Sequence, residues 1–99
     1  MARFRVIDAF AAPHGGSILR LRLTEGEAPS LRSLKGATLT AKSPDGAQAR
    51  RVRVDGFAVA GGKPSDKRFK ATGRVDLHVK DADGGQGEPI WLKWQVEGP

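Results

Sequence analysis

No cysteine occurs in the 99 residues, which excludes disulfides, thiolate metal sites and a cysteine nucleophile. Tyrosine is absent as well, and the aromatics amount to four Phe and two Trp. Large core-forming side chains are scarce: 13 residues are Ala, leaving eight Leu, seven Val, three Ile, four Phe, two Trp and one Met. That supply fills one compact core and not two, so residues 1–99 read as a single domain. No apolar run approaches the length of a membrane span, and Met1-Ala2-Arg3-Phe4 meets charge at once. The expectation is a soluble, cytoplasmic protein with no membrane partner. Helical spacing is also nearly missing.

What the chain does have is alternation of apolar and polar residues. Phe4, Val6 and Phe10 share a face opposed by Arg3 and Arg5, and Leu19, Leu21 and Leu23 are opposed by Arg20 and Arg22. Ala37, Leu39 and Ala41 alternate with Thr38, Thr40 and Lys42, and Val52 and Val54 with Arg51, Arg53 and Asp55. The longest series is Phe69, Ala71, Gly73, Val75, Leu77 and Val79, and the last is Ile90, Leu92, Trp94 and Val96. Six strands with one dry and one wet face are what antiparallel sheets require. Pro13-His14-Gly15-Gly16, Ser43-Pro44-Asp45-Gly46 and Asp83-Gly84-Gly85 read as hairpin turns between them. Gly56, where Phe57 falls out of phase with Val54, marks a bulge or bend. Glu25–Lys35 has room for one turn of helix, and Ala60–Lys67 reads as an open loop. With no helices to cover its apolar face, the sheet must close on itself. The expected fold is all-β, a small closed six-stranded antiparallel barrel.

The order of motifs over the first 80 residues resembles the second-domain β-barrel of translational GTPases of the elongation factor Tu type. Phe4-Arg5-Val6-Ile7-Asp8-Ala9-Phe10 is similar to the family's opening F-x-V-x-D-x-F strand. Gly16 to Gly26, Gly36-Ala37-Thr38-Leu39, the Pro44-Asp45-Gly46 turn, Val52-x-Val54 and Gly73 follow in the family's order. Leu21 departs from the pattern where the family has glycine, and Ala37 where it has an acidic residue. The resemblance implies a barrel that docks on RNA, the ribosome or another domain. It does not imply nucleotide chemistry, since no G-x-x-x-x-G-K-[ST] phosphate loop is present.

Sequence features that carry catalysis are thin. His78 and Asp76 stand two apart on one strand face, the spacing of a general base and its orienting carboxylate, but also of ordinary surface neighbours. His14 lies in a glycine turn, and no histidine pair has zinc-ligand spacing. No serine sits in a nucleophile elbow, and Asp81, Asp83 and Glu88 fall short of a calcium loop. Gly61-Gly62-Lys63-Pro64-Ser65 lacks the following helix a phosphate cradle needs, and reads as a plain loop. The expectation is a protein that is not an enzyme and holds no metal, cofactor or nucleotide.

Charge carries more information. The formal net charge is +6, with eleven cations against three anions over residues 32–74 and two against five over 75–99. Arg50, Arg51, Arg53, Lys63, Lys67, Arg68, Lys70 and Arg74 are the candidate nucleic-acid contacts, expected to converge on one barrel wall if their strands are neighbours. Trp91, beside Lys93 and facing away from Trp94, is the one aromatic left over from the core, fit to stack a base or meet a protein partner. The reading is a binding module that docks a basic face on RNA or a ribonucleoprotein. The alternative is a protein-interaction or accessory subunit, homodimeric or otherwise, in which the cations only keep the barrel soluble.

Overall fold

A thin set of two-faced strands has to shield its apolar side with itself, and it does so by closing. The computed structural model describes residues 2–12, 15–58, 65–82 and 90–98. Strands β1 (Arg3–Ala11), β2 (Ser17–Glu25), β3 (Thr38–Lys42), β4 (Ala49–Phe57), β5 (Arg74–Asp81) and β6 (Gln95–Glu97) form a closed barrel in the order β1-β2-β5-β4-β3-β6. Every pairing is antiparallel. Two short helices, α1 (Leu31–Leu34) and α2 (Asp66–Thr72), interrupt the strands. Phe4, Leu19, Leu21, Leu39, Val52, Val54, Leu77 and Val96 fill the interior, and no polar or charged residue is buried among those described. No helix there is long and apolar enough to cross a membrane.

The β1–β2 turn and the β3–β4 turn are hairpins as expected. In the second, the Asp45 carboxylate accepts from Ser43 Oγ at 2.6 Å and Ala47 N at 3.0 Å, which holds its pKa below the usual carboxylate range. The connection through Asp83-Gly84-Gly85 is not a hairpin, because β6 pairs with β1 and β3 instead of β5. Those three residues lie outside the described ones.

Four expectations need correction. The stretch from Phe69 to Thr72 is helix, so the long alternating series is a strand only from Arg74 onward. Ser65 Oγ caps α2 by accepting from Arg68 N, and Gly73 ends it in the left-handed conformation at φ 68°. Asp66 and Lys67, taken for loop, are the first turn of that helix, so the Gly61–Ser65 stretch is followed by a helix after all, one of only seven residues. Phe10 is 43% exposed because β1 shifts register between Val6 and Asp8, which turns Ala9 inward in its place. Leu92 is exposed too, since residues 91–94 form a turn and β6 begins only at Gln95. The register shift expected at Gly56 is present, between Val54 and Gly56.

Both helices lie at the same end of the barrel, where β2 leads into β3 and β4 into β5. Leu31 N donates to Asp66 Oδ1 at 2.7 Å, tying α1 to α2. Leu34 and Phe69 drop into the core, and the Phe69 ring stacks on Phe4 with centroids 6.1 Å apart. A strand reading makes Phe69 one wall residue among many; here it anchors the cap. Replacing Phe69 by Ala should therefore destabilise the fold by about 3–5 kcal/mol in urea unfolding, the usual cost of emptying a buried Phe site. A loss below about 1 kcal/mol would contradict the cap.

Candidate nucleic-acid interface

The barrel does not gather the predicted cations on one wall. Strands β4 and β5 are neighbours, but Arg53 lies opposite Lys80, six residues along β5 from Arg74. At about 3.3 Å per residue that is roughly 20 Å. Lys67, Arg68 and Lys70 are exposed on α2 at the helical end, where α1 adds Arg32 and Lys35. Arg50 is half-buried and ion-paired with Asp81, so it serves the β4–β5 seam. Arg51 faces outward opposite Thr40. Lys63, like His14, falls outside the described residues.

A different cluster emerges when the outer face is followed across the strands. Cross-strand partners form rows perpendicular to the chain direction. One row runs Glu25, Arg3, Glu97, Thr40, Arg51. Here Arg3 sits between two carboxylates, 3.1 Å from Glu25 and 3.3 Å from Glu97, the latter an ion pair without hydrogen-bond geometry at Nε. Five residues further along β1 and β2 lies a row of Asp8, Arg20 and Asp76. Arg20 forks onto Asp76 at 3.1 and 3.4 Å. The hydrogen bond and charge of Asp76 raise the Arg20 pKa, with Asp8 adding to the effect.

Between these two rows runs a third, Arg74, Arg22, Arg5, Gln95, Lys42, across β5, β2, β1, β6 and β3. It contains no carboxylate. All five residues are exposed, and among the described residues none of the four cations makes an ion pair or a side-chain hydrogen bond. With strands about 4.8 Å apart, the three arginines span roughly 10 Å and the whole row roughly 19 Å. Arg5 opposite Arg22 and Arg22 opposite Arg74 are like-charge pairs, each costing a few tenths to about 1 kcal/mol. Of the predicted contacts only Arg74 belongs to this row. Arg5, Arg22 and Lys42 had a visible signal, an outward cation on each alternating run, but only the register aligns them.

Residues 91–94 border the same row. Lys93 N donates to Val6 O at 2.9 Å and Val6 N to Trp94 O at 2.8 Å, immediately beside the Arg5–Gln95 pair. Trp94 N reaches Trp91 O at 3.4 Å, closing a tight turn just ahead of β6. Lys93 takes the left-handed position at φ 69°, the only described non-glycine residue with positive φ. Such a position favours glycine, and an L side chain there costs about 1–2 kcal/mol. Trp94 is buried while Trp91 is 56% exposed.

His78 and Asp76, two apart on one strand face, each have another partner. Asp76 is engaged by Arg20, and His78 Nε2 contacts the Gly15 carbonyl at 3.0 Å. Among the described residues no group of three or more His, Asp or Glu is arranged to hold a metal ion. Compared with family models, with curated proteins and with solved structures, the chain finds no match in any of the three.

If the arginine row is held together against its own repulsion, relieving it should strengthen the fold. Arg22→Thr removes both like-charge pairs and should add about 0.5–1 kcal/mol to unfolding stability at about 0.01 M salt. The gain should shrink towards about 1 M salt, which separates the charge effect from the better strand propensity of Thr. A gain independent of salt would place its origin elsewhere.

Proposed function

We propose that this barrel is a non-enzymatic module that docks on RNA or a ribonucleoprotein through phosphate contacts. The observation that carries the reading is the unneutralised row Arg74–Arg22–Arg5, with Lys42 beyond Gln95, set between two rows in which Arg3 and Arg20 are ion-paired with carboxylates. A protein that needed cations only for solubility gains nothing by stacking three arginines in register, where they repel. Arginine presents a flat fork of donors to phosphate oxygens, and a row of them neutralises several phosphates and releases their counterions. Exposed Lys67, Arg68 and Lys70 on α2, which leads through Gly73 into Arg74, extend the positive surface at one end of the row. The resemblance of the first 80 residues to second-domain barrels of translational GTPases points to the same class of ligand.

A second reading rests on the exposure of Trp91, Leu92 and Phe10, apolar side chains that suit a protein partner. Binding of the purified protein to bulk tRNA, followed by fluorescence anisotropy across a salt series, separates the two. Tight binding at low salt that falls steeply with salt is expected. The variant Arg5→Glu/Arg22→Glu/Arg74→Glu should lose it, whereas Arg51→Glu/Arg53→Glu should keep most of it. Loss of three phosphate contacts lowers the salt slope by about 2–3. No binding by the native protein at low salt, or equal binding by the triple variant, would overturn the proposal.

A further inference from the structure

We infer that the ligand is a single strand, with the Trp91–Trp94 turn stacking one of its bases while the arginine row holds its backbone. The inference rests on the phosphate-docking reading and adds the state of the nucleic acid and a second contact. Three independent features converge on that turn. The first is position: backbone bonds between Val6 and residues 93 and 94 seat it directly beyond Arg5 and Gln95. A strand whose phosphates follow the row passes within a few residues' reach of Trp91.

The second feature is exposure. The two tryptophans of the turn are treated oppositely, with Trp94 sunk in the core and Trp91 more than half exposed. Among the described residues no aromatic ring stacks on Trp91; the one ring pair is Phe4–Phe69. A large flat apolar face in water next to unpaired cations is the combination that single-strand binders use, because every base has a π-face to offer. In a duplex the bases are already stacked on each other, so a lone exposed indole has no base face to meet.

The third feature is strain. Lys93 occupies a backbone position that glycine would take without cost. Keeping a cation there adds a fifth positive charge to the four of the row, at the expense of backbone comfort, and strained positions of this kind cluster at ligand-contacting sites. The turn therefore offers an aromatic face and a positive charge at the flank of the row. A stack on a base face reads no base edge, so the contact is tolerant of sequence.

The test compares a labelled 12-nucleotide oligouridylate with a 12-base-pair RNA duplex at low salt, using the full chain. The native protein should prefer the single strand. Trp91→Ala should weaken that complex roughly tenfold, within the range of one base–aromatic stack, leave duplex binding within about twofold, and keep the salt slope. In a Trp94→Phe background, where Trp91 is the sole emitter, oligouridylate should quench its fluorescence. Lys93→Gly should raise the thermal midpoint while weakening the single-strand complex and lowering its salt slope by about 0.7. Unchanged single-strand affinity in Trp91→Ala with no quenching, or equal loss for both ligands, would overturn the inference and leave phosphate docking standing. Absence of any RNA binding by the native protein would overturn both.

Discussion

Closure of the barrel depends on three residues. Gln95, Val96 and Glu97 pair with Arg3–Arg5 on one side and with Thr40–Lys42 on the other, and without them β1 and β3 are open edges. The short strand also delivers Val96 to the fully buried interior and Trp94, just before it, to the same core. A chain so poor in large apolar residues has no second layer to cover an open sheet. The helical end is closed in the same economical way, by Leu34 and Phe69 with one Asp66 carboxylate linking the two caps.

Closure also decides which charges meet. In an open sheet the outward faces of β3 and β1 would be remote; through β6 they become one continuous surface, and Lys42 joins a row that starts at Arg74. Charge on this surface is sorted, because the carboxylates sit with Arg3 and Arg20 and leave Arg22 and its neighbours bare. Exposed ion pairs of this kind contribute little to stability. Their effect here is to confine positive potential to a band.

The closed six-stranded barrel was legible because burial in a one-sided sheet demands period-two alternation, and most runs show it plainly. Two of the stretches that misled share one reason: alternation over a few residues is also compatible with other backbones. Phe69, Ala71 and Gly73 alternate in a helix turn and its cap, and the capping signs, Ser65-Asp66 before and Gly73 after, outweigh them. Leu92 keeps phase with Trp94 on paper, but the left-handed Lys93 between them breaks it. The candidate site was legible only in its ingredients. Arg5, Arg22 and Arg74 are far apart in sequence, and their alignment is a property of strand order and register that no local pattern encodes. Trp91 could be found by elimination, because its neighbour Trp94 was already needed inside.

The register shifts do more than relieve twist. One residue is skipped at Ile7, one at Thr24 and one at Asp55. Without the skip at Ile7, strict alternation from Phe4 and Val6 would carry Asp8 into the core; with it, Asp8 faces outward opposite Arg20. The skip at Thr24 sets Glu25 against Arg3, and Asp55 at the third reaches Lys80 at 3.2 Å. Each extra residue thus works as a frameshift in side-chain space, turning a misplaced carboxylate into a counter-ion. Deleting any one of them would rephase a strand's apolar face and redraw the charge map together, so in this barrel the hydrophobic code and the electrostatic code share the same punctuation.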